Sequence, residues 1–200
     1  MFATHKKGEW YEAYILALIH NNQNIIKQCR ENIPFFTMLK KEGDSRIGTN
    51  RFVELCERTK FEDGRTAPFL QALIGINYRE QTQDTLHDIY LLALKHAHQE
   101  TISSVLQVPT FDQNALFKKG PSVALHPWHQ LNQKPELFDL IASKIDISKV
   151  SQESLVEYYL IALQHKKIDL CKAISNRIVD KSALLLKSSQ SGTDPYDFLK

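Results

Sequence analysis

The chain has 200 residues, of which 42% are hydrophobic and 24% are charged, which suits one domain or one elongated array with a buried core. Its formal net charge of +2 is far below the strongly basic balance of a nucleic-acid-binding protein. Three cysteines without a CxxC pair argue against a disulfide framework or structural zinc, and they favour a reducing, cytoplasmic environment. The apolar runs are much shorter than the roughly 20 residues that cross a bilayer, so no membrane segment is expected.

In chain order, apolar segments alternate with breaks rich in glycine, proline and polar residues. The clearest breaks lie at residues 40–50, 60–66, 117–122 and 188–195. Between the breaks the apolar residues recur at helical spacing, and sustained two-residue alternation is scarce. The sequence therefore predicts an all-α fold with about a dozen short helices, joined by short connections.

Capping residues and prolines mark several helix starts. Asp84 and Ser151 are predicted to cap the helices that precede Tyr90 and Tyr159. Pro68 and Pro135 stand where a proline is tolerated, at or near a first helical turn.

Three similar seven-residue segments occur along the chain. They read YILALIH from Tyr14, YLLALKH from Tyr90 and YLIALQH from Tyr159, so the copies lie 76 and 69 residues apart. Each copy is followed by a break of two to four residues and a second amphipathic stretch. Halved, these spacings are 38 and 34.5 residues, and a period in the low-to-middle thirties is typical of stacked helix pairs.

The repeated positions predict a continuous core. Tyrosine and leucine from each copy should pack between layers, and the alanine should let the helices approach closely. The expected core residues are Tyr14, Leu18, Tyr90, Leu94, Tyr159 and Leu163, with Ala17, Ala93 and Ala162 at the close contacts. In the third copy, helical spacing puts Leu155, Tyr159, Ala162 and Leu163 on one face.

The stretches LALIHNNQNIIKQC, LALKHAHQETISSV and IALQHKKIDLCKAI resemble the ankyrin repeat, whose centre reads LAAxxGHxEIVxLL. His98 and Glu100 fall on the Gly-His-x-Glu turn of that family, and DGRTAPFL from Asp63 is similar to its repeat opening. The family's turn glycine is replaced by Asn21, Ala97 and Lys166. The resemblance implies a solenoid of stacked helix pairs, with residues 1–200 forming a single array of about five units.

The same resemblance implies a binding function rather than an enzymatic one. Ankyrin arrays bind other proteins along a concave face, to which the residues ending each first helix contribute. The residues expected to contact a partner are therefore Ile19, His20, Lys95, His96, Gln164 and His165, together with Asp63 and Arg65 on a loop tip and Trp128 as an aromatic anchor. Such modules also occur in proteins that intracellular bacteria deliver into host cells, which adds the host cytosol as a location.

The repeated histidine has a structural interpretation too. His20, His96 and His165 stand where a helix should end, and a hydrogen-bond donor there meets unpaired backbone carbonyls. The two interpretations are compatible. Metal binding is not expected, because HAH (96–98) and HPWH (126–129) lack the third and fourth ligands that zinc needs.

Two alternative functions remain open at the level of sequence. One is that the chain is the helical substrate-docking portion of a larger enzyme, since Asp194-Pro195 resembles a helix start close to the last residue. A compact all-α domain with a small-molecule pocket is the other. No GxSxG, phosphate-binding glycine loop or HExxH motif supports catalysis in the chain itself, and no cofactor is implied.

Overall fold

A computed structural model describes residues 7–32, 73, 76–120 and 125–185. Within these ranges the chain forms eight α-helices and four short 3-10 helices and contains no strand, which confirms the all-α prediction there. The α-helices are α1 Lys7–Ile19, α2 Gln23–Asn32, α3 Gln83–Lys95, α4 Gln99–Leu106, α5 Pro127–Gln133, α6 Pro135–Ala142, α7 Gln152–Gln164 and α8 Ile168–Ser175. The 3-10 helices are Tyr78–Glu80, Gln113–Phe117, Ile147–Lys149 and Lys181–Leu185.

Two of the predicted helix starts are confirmed and one is wrong. Ser151 caps α7, and its hydroxyl accepts the Ser154 N–H. Pro135 is the first residue of α6. The cap of α3 is Thr82 rather than Asp84, because Thr82 has the extended backbone that an N-cap requires, whereas Asp84 lies inside the first helical turn. Pro68 lies outside the described residues.

The predicted helix–break–helix pattern is confirmed in all three copies. Residues 20–22, 96–98 and 165–167 form the breaks between α1 and α2, α3 and α4, and α7 and α8. In each break the middle residue is left-handed, with φ of 53° at Asn21, 53° at Ala97 and 55° at Lys166. These three residues stand at equivalent positions of the three copies.

A backbone hydrogen bond closes each of these turns. The N–H of the residue after the left-handed position donates to the carbonyl of the alanine five residues earlier, which is the pattern of a Schellman motif. The three bonds run from Asn22 to Ala17 (2.8 Å), from His98 to Ala93 (2.9 Å) and from Lys167 to Ala162 (2.9 Å).

The junction between α5 and α6 is built differently. A single residue, Lys134, separates the two helices, and its backbone is neither helical nor left-handed (φ −131°, ψ 81°). Pro135 then begins α6, because its fixed φ suits a first helical position and its missing N–H would have no helical partner there.

Several helices contact one another beyond their own pairs. Helices α3, α5 and α7 are the first helices of their pairs; α3 contacts α5, and α5 contacts α7. Among the second helices, α4 packs against α6. Helix α3 is the most enclosed of them, since all ten residues from Thr85 to Leu94 are buried. The buried apolar side chains form a single cluster that extends from Tyr14 to Ile178.

The predicted core is correct in the first two copies of the repeat and shifted in the third. Tyr14, Leu18, Tyr90 and Leu94 are fully buried. Tyr159 and Leu163, by contrast, are only partly buried. The buried tyrosine of the third copy is the preceding residue.

That residue, Tyr158, packs against two phenylalanines. Its ring centroid lies 5.1 Å from that of Phe117 and 5.9 Å from that of Phe138. The core of α7 is therefore turned by one residue toward the 3-10 helix Gln113–Phe117 and toward α6.

The repeated alanines are all buried, at 3% exposure for Ala17 and 0% for Ala93 and Ala162. Their small side chains fit the predicted close contacts. Among the described residues, no helix has both the length and the apolar character needed to cross a membrane.

Candidate protein-interaction surface

The C-terminal ends of α3, α5 and α7 are linked by side chains. The Lys134 ammonium group donates to the carbonyls of Leu94 (3.1 Å) and Lys95 (2.9 Å) and to Gln130 Oε1 (3.2 Å). Partial burial lowers the Lys134 pKa, and the nearby Glu136 carboxylate opposes that shift. Lys134 thus caps α3 from the α5–α6 junction.

His165 performs a similar task one step further along the chain. Its Nε2–H donates to the Leu131 carbonyl at 2.9 Å, near the end of α5. Its ring stacks on Phe138, with centroids 4.8 Å apart and 21° between the planes. A helix-end histidine therefore meets helix-end carbonyls, as expected, although the carbonyl belongs to the neighbouring helix rather than to its own.

The six predicted helix-end residues lie at equivalent positions of α1, α3 and α7. His20 is exposed, while Ile19, Lys95, His96, Gln164 and His165 are half-buried. The Gln164 Oε1 atom is buried and accepts no hydrogen bond from the described residues. We call this set of six residues the helix-end face.

The other predicted contact residues lie apart from the helix-end face or outside the description. Trp128 is in the first turn of α5 and is only 7% exposed, so most of its ring is core. Asp63 and Arg65 lie outside the described residues, as does the loop that was expected to carry them.

A second set of repeated residues went unnoticed in the sequence. Asn77, Asp112, Asp146 and Asp180 each accept the backbone N–H of the residue two positions later, at 2.9–3.2 Å. They lie 35, 34 and 34 residues apart. Each stands directly before one of the four 3-10 helices. The signal available in the sequence was an Asp followed at the second position by Asn or Ser, recurring every 34 residues.

Glutamine side chains tie two of these loops to the first helix of the preceding helix pair. Gln83, the first residue of α3, donates to the Thr110 carbonyl (2.6 Å) and accepts the Asp112 N–H (2.8 Å). Gln152, the first residue of α7, does the same with Arg177 (3.1 Å) and Val179 (2.9 Å).

A basic depression of about 430 Å³ opens near the N-terminal ends of α5 and α7, and it is lined by Lys118, Lys119, His126 and Glu153. His126 is the N-cap of α5, and its Nδ1 accepts the Trp128 N–H at 3.2 Å. Burial lowers the His126 pKa, and repulsion from His129 and Lys119 lowers it further. We call these four residues the basic depression.

The described residues contain no group of three or more His, Cys, Asp or Glu side chains suited to a metal ion. Cys29 and Cys171 are buried, and burial raises the pKa of both thiols, which disfavours the thiolate needed for attack. Cys56, the third cysteine, lies outside the described residues.

Comparisons with protein-family models, with curated proteins and with solved structures found no match to this chain. Its function therefore has to be inferred from its own residues.

Proposed function

We propose that this chain is an ankyrin-like stack of helix pairs that binds another protein through the helix-end face. The observation that carries the proposal is the three-fold recurrence of one local structure, a left-handed turn residue followed by a bond back to an alanine carbonyl. Three identical turns at equivalent sequence positions are expected of a repeat protein.

Two further observations support a stacked arrangement. The loop residues Asn77, Asp112, Asp146 and Asp180 recur with a period of 34–35 residues, as expected for helix-pair repeats. The first helices α3, α5 and α7 contact one another in chain order, as neighbouring units of an array do. In such an array, equivalent residues form rows across the units, and a row of helix ends offers a partner a continuous surface.

The residues of the helix-end face have different roles in this proposal. His20 is exposed and the other residues are half-buried, and we assign partner contact to Ile19, His20, Lys95, His96 and Gln164. The ring of His165 is already bonded to Leu131 and stacked on Phe138, so we assign it to supporting the face. No cofactor is required, and binding would take place in the cytoplasm or, for a delivered bacterial protein, in the host cytosol.

The proposal is tested by affinity capture with charge-reversed chains. The variant carries His20→Glu and Lys95→Glu, which places two acids on the helix-end face. The control carries Gln107→Glu and Lys144→Glu, which introduce the same charge change at exposed positions after α4 and α6. A protein captured by the natural chain and by the control should be lost from the variant. Equal capture by both altered chains would remove the helix-end face from the interaction.

A further inference from the structure

The basic depression lies at the N-terminal ends of α5 and α7 and is connected to α3 through Lys118. His87 of α3 donates its Nε2–H to the Lys118 carbonyl at 3.0 Å, which fixes the backbone of the first lysine. His126 caps the N-terminus of α5, and Glu153 lies in the first turn of α7. The depression therefore lies at the opposite end of these helices from the helix-end face.

The two lysines of the depression differ from three other lysines of the described chain. Lys149, Lys167 and Lys172 each lie within 4 Å of a carboxylate, of Asp146, Asp139 and Asp169 respectively. Neither Lys118 nor Lys119 forms an ion pair with any described residue. Glu153 is the single acid among the described lining residues, and it already has an interaction of its own.

We propose that the basic depression receives acidic side chains of the partner protein, as a second contact region beyond the helix-end face. The inference rests on the proposed binding function. An acidic group placed here would form ion pairs with Lys118 and Lys119 and would offset the repulsion between Lys119 and His126.

An acidic protein segment fits these observations better than a nucleic acid. Nucleic acids are bound along extended basic stripes, whereas this depression holds two lysines and one acid in a chain of net charge +2. A volume of about 430 Å³ admits a few side chains of a peptide, and its open form leaves room for the backbone to pass.

The test is an NMR titration with a blocked hexaglutamate peptide at about 20 mM ionic strength, where surface charges are weakly screened. The amide signals of Lys118, Lys119 and His126 should shift in a saturable way. Lys118→Gln with Lys119→Gln should weaken peptide binding roughly tenfold. The control Lys144→Gln with Lys181→Gln removes the same charge from exposed positions and should stay within about twofold of the natural chain.

Four results would overturn the inference. If the control variant weakens binding as much as the depression variant, the peptide is held only by general charge attraction. Competition by inorganic phosphate as strong as that by the peptide would also count against it, as would shifts of the same signals by vesicles with anionic lipids but not by the peptide. A partner that is lost from the helix-end variant yet binds normally to the depression variant would overturn this inference alone. A partner retained by both variants would also remove the proposed function.

Discussion

The turn between α3 and α4 and the junction between α5 and α6 both provide hydrogen-bond donors for the backbone carbonyls at the C-terminal end of α3, but they do so by different means. The turn satisfies the Ala93 carbonyl with its own backbone, through the His98 N–H and the left-handed Ala97. The junction has no such turn. Its single linking residue, Lys134, donates hydrogen bonds from its side chain to the carbonyls at the end of α3. The first is a local structure, while the second requires the neighbouring helix to be in place.

The largest test of this difference is Lys134→Met, which keeps the aliphatic stem and removes the ammonium group. The Leu94 and Lys95 carbonyls would lose a charged donor in a partly buried position, at a cost of about 2–3 kcal/mol. Urea unfolding followed by circular dichroism measures the loss. Lys144→Met removes an exposed lysine and should change stability by less than about 0.5 kcal/mol. Equal effects of the two changes would mean that the hydrogen bonds from Lys134 to the end of α3 do not stabilise the fold.

The close contact at the α3–α4 turn gives the second prediction. Ala93 is fully buried, so Ala93→Leu would force side chains or helices apart and cost about 1–3 kcal/mol. The change is read from the urea midpoint at constant slope. Ala142→Leu in α6, where the alanine is only partly buried, should cost less. A neutral Ala93→Leu would show that the helices do not approach closely there.

The sequence predicted the turns better than the junction, for a physical reason. Each of the three breaks depends only on residues within one helix pair, so a short sequence pattern is enough to find it. The left-handed residues of these breaks are Asn21, Ala97 and Lys166. Lys134 acts across 40 residues on Leu94, and no local pattern records that contact. The N-cap of α3 was misplaced by two residues, because Thr82 and Asp84 have equally suitable side chains and only the backbone decides between them.

The candidate site was predicted in its positions but not in its contacts. Helical spacing placed His96 and His165 at helix ends, where they are found. The sequence did not reveal that His165 is bonded to Leu131, since that contact depends on how α7 lies against α5. The error at Tyr159 has the same cause. The sequence predicted Tyr159 in the core, but the packing of α7 against Phe117 and Phe138 buries Tyr158 instead.

A smaller effect tests the left-handed residue itself. Ala97→Gly relieves the contact between a Cβ atom and the backbone at positive φ, and it should stabilise the chain by about 0.5–1 kcal/mol despite the greater freedom of glycine in the unfolded state. Thermal unfolding should show a rise of roughly 1–4 °C. Ala142→Gly makes the same exchange at a helical position and should lower stability by about 1 kcal/mol. A loss of stability in both variants would contradict the left-handed turn.

The smallest predicted effect is the dependence of stability on pH. Helix α3 is capped by the Thr82 hydroxyl, which does not titrate, whereas α5 is capped by the His126 ring, which does. Burial lowers the pKa of both His87 and His126 from the ordinary 6.5. Below pH 6.5 the unfolded chain therefore binds more protons than the folded chain, and stability is lost as the pH falls through that value.

Unfolding free energies measured at about pH 7.5 and 5.5 should show this loss, and the double variant His87→Gln with His126→Asn should reduce it. Glutamine can still donate to the Lys118 carbonyl and asparagine is a good N-cap, so both replacements keep the contacts and remove the titrating rings. Asp146 and Asp180 do not interfere, because hydrogen bonds from Ser148 and Ser182 hold their pKa values below 3.8. An unchanged pH dependence in the double variant would mean that other groups make the fold sensitive to acid, and the α5 cap would then be no more pH-dependent than the Thr82 cap of α3.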